Sequence, residues 1–514
     1  MGTSAKHLNQ NDGGQNDQSR NDPADIARVA KERLGFDELR PGQSEAVQAI
    51  LDGHDTLVVQ PTGSGKSAIY QIAGLLIEGA TVIVSPLIAL QKDQVDSIRD
   101  QNSAAAAAVN SAQKASHIRE NVQRLEEGEL EYIFLSPEQL AKPSTIETLQ
   151  RSNVSLFVVD EAHCVSQWGH DFRPDYLRLG AAIEALGHPR VLALTATASP
   201  RVREEIAERL GLREPKVFVQ GFDRPNIYLR VDKFETETEK RDALIHRVRW
   251  ADKPGIIYVA TRRAAREVMQ ALEEEGIDSL YYHGGLGRKE RDEAHEWFMS
   301  GASGVMVATN AFGMGVDKPD VRFVYHYDPP DSPDSYYQEI GRAGRDGERA
   351  DAILFFRQED IGSQSFHATE GKPDPELLEQ FATRLAAIQG PPDYESMSAE
   401  LGIAPRKLSI ALQHLEDTGV AEIRASGEVH IAEDADLSAA AQQAAEEQEG
   451  RSGSRRARLE RMREYGDTTK CRREMLLRYL GDDYNGPCNF CDNCDATQDR
   501  VPIDPSAGTR REIV

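Results

Sequence analysis

The chain has 514 residues, of which 39% are hydrophobic, and a formal net charge of -25 at pH 7. This length is sufficient for three or four domains, and no apolar run is long enough to span a membrane. No basic-then-apolar signal peptide opens the chain, so we expect a soluble cytoplasmic protein. The negative charge argues against a polyanionic ligand, although binding follows local clusters because exposed charges are screened beyond about 10 Å.

The first 24 residues contain mainly Asn, Gln, Gly, Ser and Asp without apolar periodicity, and we expect a disordered tail there. Between residues 25 and 220, strand-like apolar runs alternate with amphipathic stretches. This alternation predicts an α/β lobe built on a doubly wound parallel sheet. Such folds bind ligands in loops at the carboxyl ends of their strands.

A glycine-rich loop follows the apolar run at residues 56–60, and its sequence is Thr62-Gly63-Ser64-Gly65-Lys66-Ser67. The two glycines allow backbone N–H groups to point at phosphate oxygens, and Lys66 can reach the outer phosphates. The Ser67 hydroxyl can bind magnesium. The strict phosphate-loop pattern has a glycine five residues before Gly65, where this chain has Gln60.

Two acidic residues, Asp160 and Glu161, end a second apolar run at residues 155–159. Asp160 is placed to hold magnesium, and Glu161 to orient and deprotonate an attacking water. A Gly/Ser turn and a solvated acid pair could explain either motif alone. Both motifs in this order, each after an apolar run, predict a nucleotide hydrolase.

An aromatic-rich segment at residues 163–176 directly follows the acids. Trp168, Phe172 and Tyr176, together with Arg173, offer flat and cationic faces that are suited to stacking nucleic-acid bases. The alternative is that these aromatic residues only pack the core of the lobe. Their direct attachment to the acids favours binding.

A second parallel α/β lobe is predicted at residues 221–362, and its buried strands are expected at residues 255–259, 304–308 and 322–325. Residues 375–435 then combine two helices around a glycine-containing turn with a short hairpin, which indicates a winged-helix-like domain. Such domains bind DNA or serve as protein contacts, and the sequence leaves both open. An Ala/Gln/Glu-rich linker is expected at residues 436–454.

Four of the five cysteines lie late in the chain, at Cys471, Cys488, Cys491 and Cys494. Gaps of sixteen, two and two residues let four thiolates converge on one tetrahedral metal, which indicates a structural zinc. A disulfide is disfavoured because nothing suggests an oxidising compartment. We expect a helical zinc module at residues 455–498 and a flexible tail at residues 499–514. The fifth cysteine, Cys164, is interpreted as a packing residue.

The densest cluster of basic residues, at 451–463, directly precedes the zinc cysteines. It could grip DNA phosphates, or it could be the solvated face of a helix, as runs of charge usually are. The sequence leaves both possibilities open.

The ordered motifs together resemble those of superfamily two helicases, and of the RecQ family in particular. The resemblance covers roughly residues 27–360 and resumes near the C-terminus. The motifs that carry it include 34–43, 85–90, 194–198, 221–227 and 338–347. The resemblance implies two tandem RecA-like lobes followed by a zinc-binding module.

The resemblance also implies roles for individual residues. Gln43, with Phe36 and Arg40 beside it, matches the family's adenine-reading motif, because a glutamine amide can pair with adenine, and this predicts ATP over GTP. Thr195 and Thr197 match the motif that couples hydrolysis to lobe movement.

Two motifs of the second lobe complete the predicted site. Gly313, Gly315 and Asp317 match a motif that touches both nucleotide and nucleic acid. Gln338 opens the motif that contains Arg342 and Arg345, the arginine pair that reaches the transferring phosphate and is worth about a thousandfold or more in rate.

The sequence therefore predicts a DNA-stimulated, ATP-dependent DNA helicase of RecQ type with magnesium and zinc as cofactors, nucleoid-associated if bacterial. Movement from 3′ to 5′ on single strands and a role in recombination and repair are implied by the resemblance alone. The expected substrates are single-stranded DNA and tailed or forked duplexes, and single-strand-binding or recombination proteins are possible partners. In the usual RecQ plan a winged helix follows the zinc module, whereas here the candidate precedes it. We therefore keep a DNA-stimulated translocase without extensive unwinding as the alternative.

Overall fold

The computed structural model describes two long parts of the chain and some shorter pieces. These are residues 23–361 except 87, 101–103, 111, 112, 114, 141, 167–175, 177, 302, 303, 314, 315 and 317, and then residues 421–423, 429–431, 453 and 455–495. The predicted tail at 499–514 and the helix pair of the winged-helix-like domain lie outside the described residues, as does the predicted linker at 436–454 apart from Gly453. The predicted tail at 1–24 is described only from Pro23, where a helix already begins, so its expected end is two residues too late.

The chain forms two compact units that divide between Arg224 and Pro225. Two short later segments, Gly313–Asp317 and Leu480–Asp482, belong to the first unit. Each unit contains one parallel sheet.

The first unit is built on seven strands: β1 (Thr56–Val59), β2 (Ala80–Val84), β3 (Ala106–Val109), β4 (Tyr132–Leu135), β5 (Val154–Val159), β6 (Arg190–Thr195) and β7 (Lys216–Val219). All pair in parallel, in the order β3-β4-β2-β5-β6-β1-β7. The central strands are buried along almost their whole length, as expected when helices cover both faces of a sheet. The predicted parallel α/β lobe is confirmed.

Nine helices surround this sheet in the described part of the unit: α1 (Pro23–Leu34), α2 (Gln43–Leu51), α3 (Ser67–Leu76), α4 (Ile88–Asp100), α5 (Ala115–Glu126), α6 (Pro137–Leu140), α7 (Pro143–Arg151), α8 (Leu179–Ala185) and α9 (Pro200–Leu210). A short 3-10 helix spans Ala162–Val165. The apolar faces of α1, α2 and α3 pack with the sheet in one core cluster.

The second unit is built on six parallel strands: β8 (Ile227–Lys233), β9 (Gly255–Tyr258), β10 (Ser279–Tyr282), β11 (Val305–Ala308), β12 (Phe323–His326) and β13 (Ala350–Phe356). Their order is β10-β11-β9-β12-β13-β8, which leaves β8 at one edge. The three strands predicted here from apolar runs are confirmed to within a residue at each end as β9, β11 and β12.

Among the described helices, this second sheet is accompanied by α10 (Glu237–Trp250), α11 (Arg262–Glu274), α12 (Arg288–Met299) and α13 (Pro333–Ile340), and residues 358–361 begin a further helical segment. A capping box starts α10, in which the Thr236 hydroxyl accepts from Glu239 N and the Glu239 carboxylate accepts from Thr236 N. Ser332 caps α13 by accepting from Ser335 N, and Pro333 occupies its first turn.

The later pieces are small. An antiparallel pair, β14 (Ala421–Ile423) and β15 (Val429–Ile431), confirms the predicted hairpin. A helix at residues 455–467 precedes α14 (Arg472–Tyr479) and the last three cysteines. Within the described part of the chain, none of the helices combines the length and apolarity that crossing a bilayer requires.

Candidate nucleotide site and zinc centre

The phosphate loop connects β1 to α3 at the carboxyl edge of the first sheet. Gly63 and Gly65 have φ values of 80° and 83°, a backbone region in which a side chain would be strained. A Cβ added to Gly65 would also lie 2.9 Å from Gln43 Nε2. These glycines let the loop curl tightly, and the first N–H groups of α3 follow directly from it.

Lys66 is held inside this loop. Its Nζ donates to the backbone oxygens of Gln60 at 2.8 Å and of Pro61 at 3.2 Å. Gln60 is buried, and its side chain accepts from Ser64 Oγ at 3.4 Å and donates to Pro41 O at 3.4 Å. The residue that departs from the strict pattern therefore ties the loop to the preceding segment.

Gln43 connects that segment to the phosphate loop. Its Nε2 donates to Gly65 O at 2.8 Å, and its Oε1 accepts from Arg40 N at 2.8 Å. The Arg40 guanidinium donates to Gly63 O, and Phe36 packs on the first core cluster. The structure thus brings Phe36, Arg40 and Gln43 beside the loop, where the amide of Gln43 is engaged with loop backbone.

The two acids follow β5, which is separated from β1 by β6 in the sheet. Asp160 Oδ1 accepts from Glu161 N at 3.0 Å, and Oδ2 accepts from Ser85 Oγ at 3.3 Å. Burial, followed by the charge of Glu161, raises the pKa of Asp160 to about 7, and the charge of Lys66 opposes the rise. A second cation beside Asp160 would therefore be favourable, because it would stabilise the charged form of this half-buried carboxyl beside Glu161.

Glu161 has a φ of 49°, an uncommon conformation for a residue with a side chain. It starts the 3-10 helix, and its Oε2 lies 3.3 Å from His163 Nδ1. The same His163 nitrogen lies 2.9 Å from Thr195 Oγ1, which in turn donates to Thr197 O at 3.0 Å. His163 therefore joins the acid motif to the threonine motif at the end of β6.

Two further residues near Ser67 were not identified from the sequence. Gln94 Nε2 donates to Ser67 Oγ at 3.4 Å, and Tyr70 OH donates to Gln94 Oε1 at 2.5 Å. Tyr70 is buried, which raises its pKa first, and the charge of Asp160 raises it further. Ser85 was also not predicted as a partner of Asp160, although it is the first residue of the helicase motif at residues 85–90.

The four late cysteines form a compact cluster in the second unit. Their sulfur atoms all lie within 4.8 Å of one another. Four thiolates around one zinc at about 2.3 Å lie about 3.8 Å apart, so the cluster fits this metal. Hydrogen bonding from Cys488 lowers the pKa of Cys491 to about 5, whereas burial raises the pKa of Cys494 to about 11. A divalent cation would stabilise all four thiolates together.

The zinc cluster is joined to the edge strand β8. Leu229 and Cys491 form a parallel bridge, and Asp492 N donates to Leu229 O at 3.0 Å. Asp492 Oδ2 accepts from Val231 N at 3.0 Å. The cysteine segment therefore covers part of the edge strand β8, whose backbone groups would otherwise lack partners on that side.

Three family models match the chain in order along its length. They are the DEAD/DEAH box helicase at residues 40–206, the helicase conserved C-terminal domain at 239–347 and RecQ zinc-binding at 432–495. Two curated relatives come from Bacillus subtilis strain 168. "Probable ATP-dependent DNA helicase RecS" is 42% identical over 62% of this chain and 64% of its own length. "ATP-dependent DNA helicase RecQ" is 40% identical over 68% of this chain and 60% of its own length.

The chain belongs to the RecQ helicase family. It spans less than two thirds of the length of these two relatives. A solved structure of the Mycobacterium smegmatis helicase Lhr, bound to single-stranded DNA and AMP-PNP, has a TM-score of 0.52 and 20% identity. The structural match covers 83% of this chain and 62% of the Lhr chain, and it shows that the two chains share a fold.

Among the RecQ motif residues, Gly315 and Asp317 lie outside the described residues, as do Trp168, Phe172 and Arg173. Tyr176 is described, and it is fully buried with its OH donating to Asp160 O at 3.0 Å. It has no exposed face for a base, so the prediction that it stacks on DNA is wrong. For Tyr176 the packing alternative applies.

The RecQ arginine motif lies on and after α13 in the second unit. Gln338 is half-buried on α13, and Arg342 and Arg345 follow the helix in a turn. Arg342 is only 5% exposed, and its Nε is buried without a hydrogen-bond partner among the described residues. A guanidinium held this way can donate to an anion that enters from outside the chain.

Two other predictions concern the RecQ zinc module and Cys164. In the helix at 455–467, Arg461 pairs with Glu464 at 2.8 Å and Arg463 with Glu460 at 2.7 Å. These two arginines are exposed and already have acidic neighbours, as expected for a solvated helix face. Cys164 is fully buried, as a packing residue should be.

Proposed function

We propose that the chain is an ATP-dependent DNA helicase that moves from 3′ to 5′ on single-stranded DNA and unwinds duplexes in recombination and repair. The observation that carries this proposal is a combination within one RecQ-family chain. A phosphate loop and a half-buried acid pair lie at the carboxyl ends of strands in the first unit, and a four-cysteine cluster is hydrogen-bonded to the edge strand β8 of the second. The substrate would place the protein in the cytoplasm, with the nucleoid if it is bacterial.

In the proposed ATP site, the loop from Thr62 to Lys66 holds the phosphates. Lys66 would exchange its two backbone acceptors for phosphate oxygens, which are stronger acceptors because they are charged. Arg40 and Gln43 donate hydrogen bonds to the backbone of the same loop, at Gly63 and Gly65. Adenine binding by Gln43 would therefore change the contacts of the phosphate loop directly. We expect this linkage to favour ATP over GTP.

Ser67 and Asp160 are the residues we assign to magnesium, which would neutralise phosphate charge when bound. The support is the raised pKa of the half-buried Asp160 carboxyl, since a cation would stabilise its charged form. Glu161 is assigned to orient and deprotonate the attacking water. Its link through His163 to Thr195 could pass a change at the acids to the threonine motif.

Arg342 and Arg345, with Gln338, are assigned to stabilise charge on the transferring phosphate. Gly315 and Asp317 are assigned to the nucleotide and the nucleic acid. Trp168, Phe172 and Arg173 are assigned to contact with single-stranded DNA, where aromatic and arginine faces can stack on bases. The zinc cluster is assigned a structural role because four cysteines leave no open position for a substrate.

The test is ATP-dependent unwinding of a 3′-tailed duplex compared with a 5′-tailed duplex, with ATP hydrolysis recorded in parallel. The Lys66→Ala variant is the control for contaminating activity. We expect only the 3′-tailed duplex to open. DNA-stimulated hydrolysis with neither duplex opened would instead support a translocase, and stimulation by RNA but not DNA would contradict the proposal.

A further inference from the structure

The second unit contains a continuous chain of buried contacts from the zinc module to Arg342. It begins at Asp492, which follows the ligand Cys491. Asp492 Oδ1 accepts from Arg472 Nε at 2.5 Å, and Arg472 is 3% exposed. Arg472 also donates to Tyr465 O at 2.8 Å, and its guanidinium lies over the Tyr465 ring at 5.5 Å. The position of the Tyr465 ring is therefore fixed by the cysteine segment.

Tyr465 contacts the helix that precedes the arginine pair. Its ring packs against Tyr336 of α13 with centroids 5.0 Å apart, and both rings are buried. Tyr336 in turn packs against His326 at 4.8 Å. A second contact joins the same two elements, because Tyr479 OH donates to the buried Asp334 at 2.5 Å. The zinc module thus contacts α13 near its start and along its buried face.

His326 extends the chain of contacts to the arginine motif. It is fully buried, and its Nε2 lies 2.7 Å from Glu339 Oε2. Glu339 O accepts from Arg342 N at 3.2 Å. His326 also stacks on Tyr258 at 5.3 Å. Burial raises the pKa of Tyr258 and the charge of Arg342 opposes that rise, so the guanidinium lies near this phenol.

We propose that Tyr465 is a positioning residue for Arg342, acting through Tyr336, His326 and Glu339. The proposal rests on the proposed function, in which Arg342 stabilises charge on the transferring phosphate. Protein interiors are close-packed, so removing one ring from this series of contacts is expected to shift the side chains that pack against it. Zinc would then serve the motor beyond folding its own module, by holding the contact that orients this arginine.

The experiment compares Tyr465→Ala with the wild-type chain in DNA-stimulated ATP hydrolysis. We expect kcat to fall by about tenfold to a hundredfold, since a small misplacement of a catalytic group has effects of this size. The KM for ATP and the affinity for single-stranded DNA should change by less than about threefold, because Arg342 acts mainly in the transition state. Zinc content should stay at the wild-type level.

Two variants separate positioning from general loss of structure. Tyr465→Phe keeps the ring and should keep kcat. Phe490→Ala removes a different aromatic contact of the same module, the edge-on pair with Tyr228 of β8 at 5.3 Å. It should lower thermal stability without lowering kcat. If Tyr465→Ala does not fold, Tyr465→Leu retains most of the apolar volume and should give a smaller fall in kcat.

Coupling to Arg342 provides the decisive comparison. In an Arg342→Ala background, adding Tyr465→Ala should cause little further loss of kcat, because the group that Tyr465 positions is already absent. A zinc-loaded Tyr465→Ala protein with wild-type kcat would overturn the inference. It would also be overturned if the fall in kcat of the double variant equalled the product of the falls caused by Arg342→Ala and Tyr465→Ala separately. Failure of the proposed function is distinguishable, because the wild-type chain would then show no DNA-stimulated hydrolysis above Lys66→Ala.

Discussion

The Asp160→Asn substitution offers a quantitative test of the half-buried acid pair. Burial and the neighbouring Glu161 raise the pKa of Asp160 from 3.8 to about 7. The substitution removes the charge while keeping an oxygen that can accept from Glu161 N, which now donates at 3.0 Å. We expect the variant to be more stable than the wild-type chain in magnesium-free buffer at pH 8.

The magnitude follows from the direction of the pKa change. A carboxyl whose pKa is higher in the folded state holds its proton more tightly when folded, so stability falls as pH rises from about 4 to about 7. Each pH unit between the folded and unfolded pKa corresponds to about 1.36 kcal/mol, so charged Asp160 costs at most about 4 kcal/mol at pH 8. At pH 5 that cost is below about 2 kcal/mol.

The assay is urea unfolding of both proteins between pH 5 and pH 8, followed by pulse proteolysis that reports on the first unit. No chelator is used, because a chelator would also remove zinc from the cysteine cluster. The stability advantage of Asp160→Asn should shrink by about 2 kcal/mol between pH 8 and pH 5. An advantage that did not change with pH, or one that grew toward pH 5, would refute the reasoning.

Three further predictions concern the other parts of the site. Gln43→Ala should raise the KM for ATP by about tenfold or more and reduce the preference for ATP over GTP. The reason is that the variant loses both the pairing with adenine and the hydrogen bond to Gly65 O, and competition kinetics with ATP and GTP would measure the effect. Arg342→Ala should lower kcat by about a thousandfold with a KM for ATP within about threefold of wild type in steady-state kinetics. Cys491→Ser should lose zinc by metal analysis and lower the melting temperature of the second unit, because the cluster is bonded to β8.

Each of these three predictions has a matched comparison. Unchanged ATP preference in Gln43→Ala would remove Gln43 from base recognition. Arg342→Lys keeps the charge but not the planar fork, so recovery of full activity by lysine would contradict the role given to the guanidinium. Cys164→Ala changes a buried cysteine outside the cluster and should retain zinc, and a Cys491→Ser protein that also kept its zinc would disprove the four-sulfur site.

The sequence by itself determined the features that depend on neighbouring residues. Apolar runs predicted five of the thirteen strands in the two sheets, namely β1, β5, β9, β11 and β12, because a strand buried on both faces must be apolar throughout. The phosphate loop was recognisable because its backbone conformation needs glycines at Gly63 and Gly65. The zinc ligands were recognisable because two-residue gaps bring the sulfurs of Cys488, Cys491 and Cys494 together locally, with Cys471 sixteen residues upstream as a fourth sulfur.

The tertiary structure alone decided how these motifs are connected. Gln43 reaches Gly65 across 22 residues, His163 reaches Thr195 across 32, and Asp492 reaches Val231 across 261. No local pattern encodes such pairs, since they depend on which strands become neighbours in a sheet. Tyr176 shows the same limit, because its aromatic ring suggested stacking on DNA whereas packing placed it in the core. The spacing of four cysteines predicted the zinc centre. The contacts from that centre through Tyr465 to Arg342 arise only when distant segments fold together.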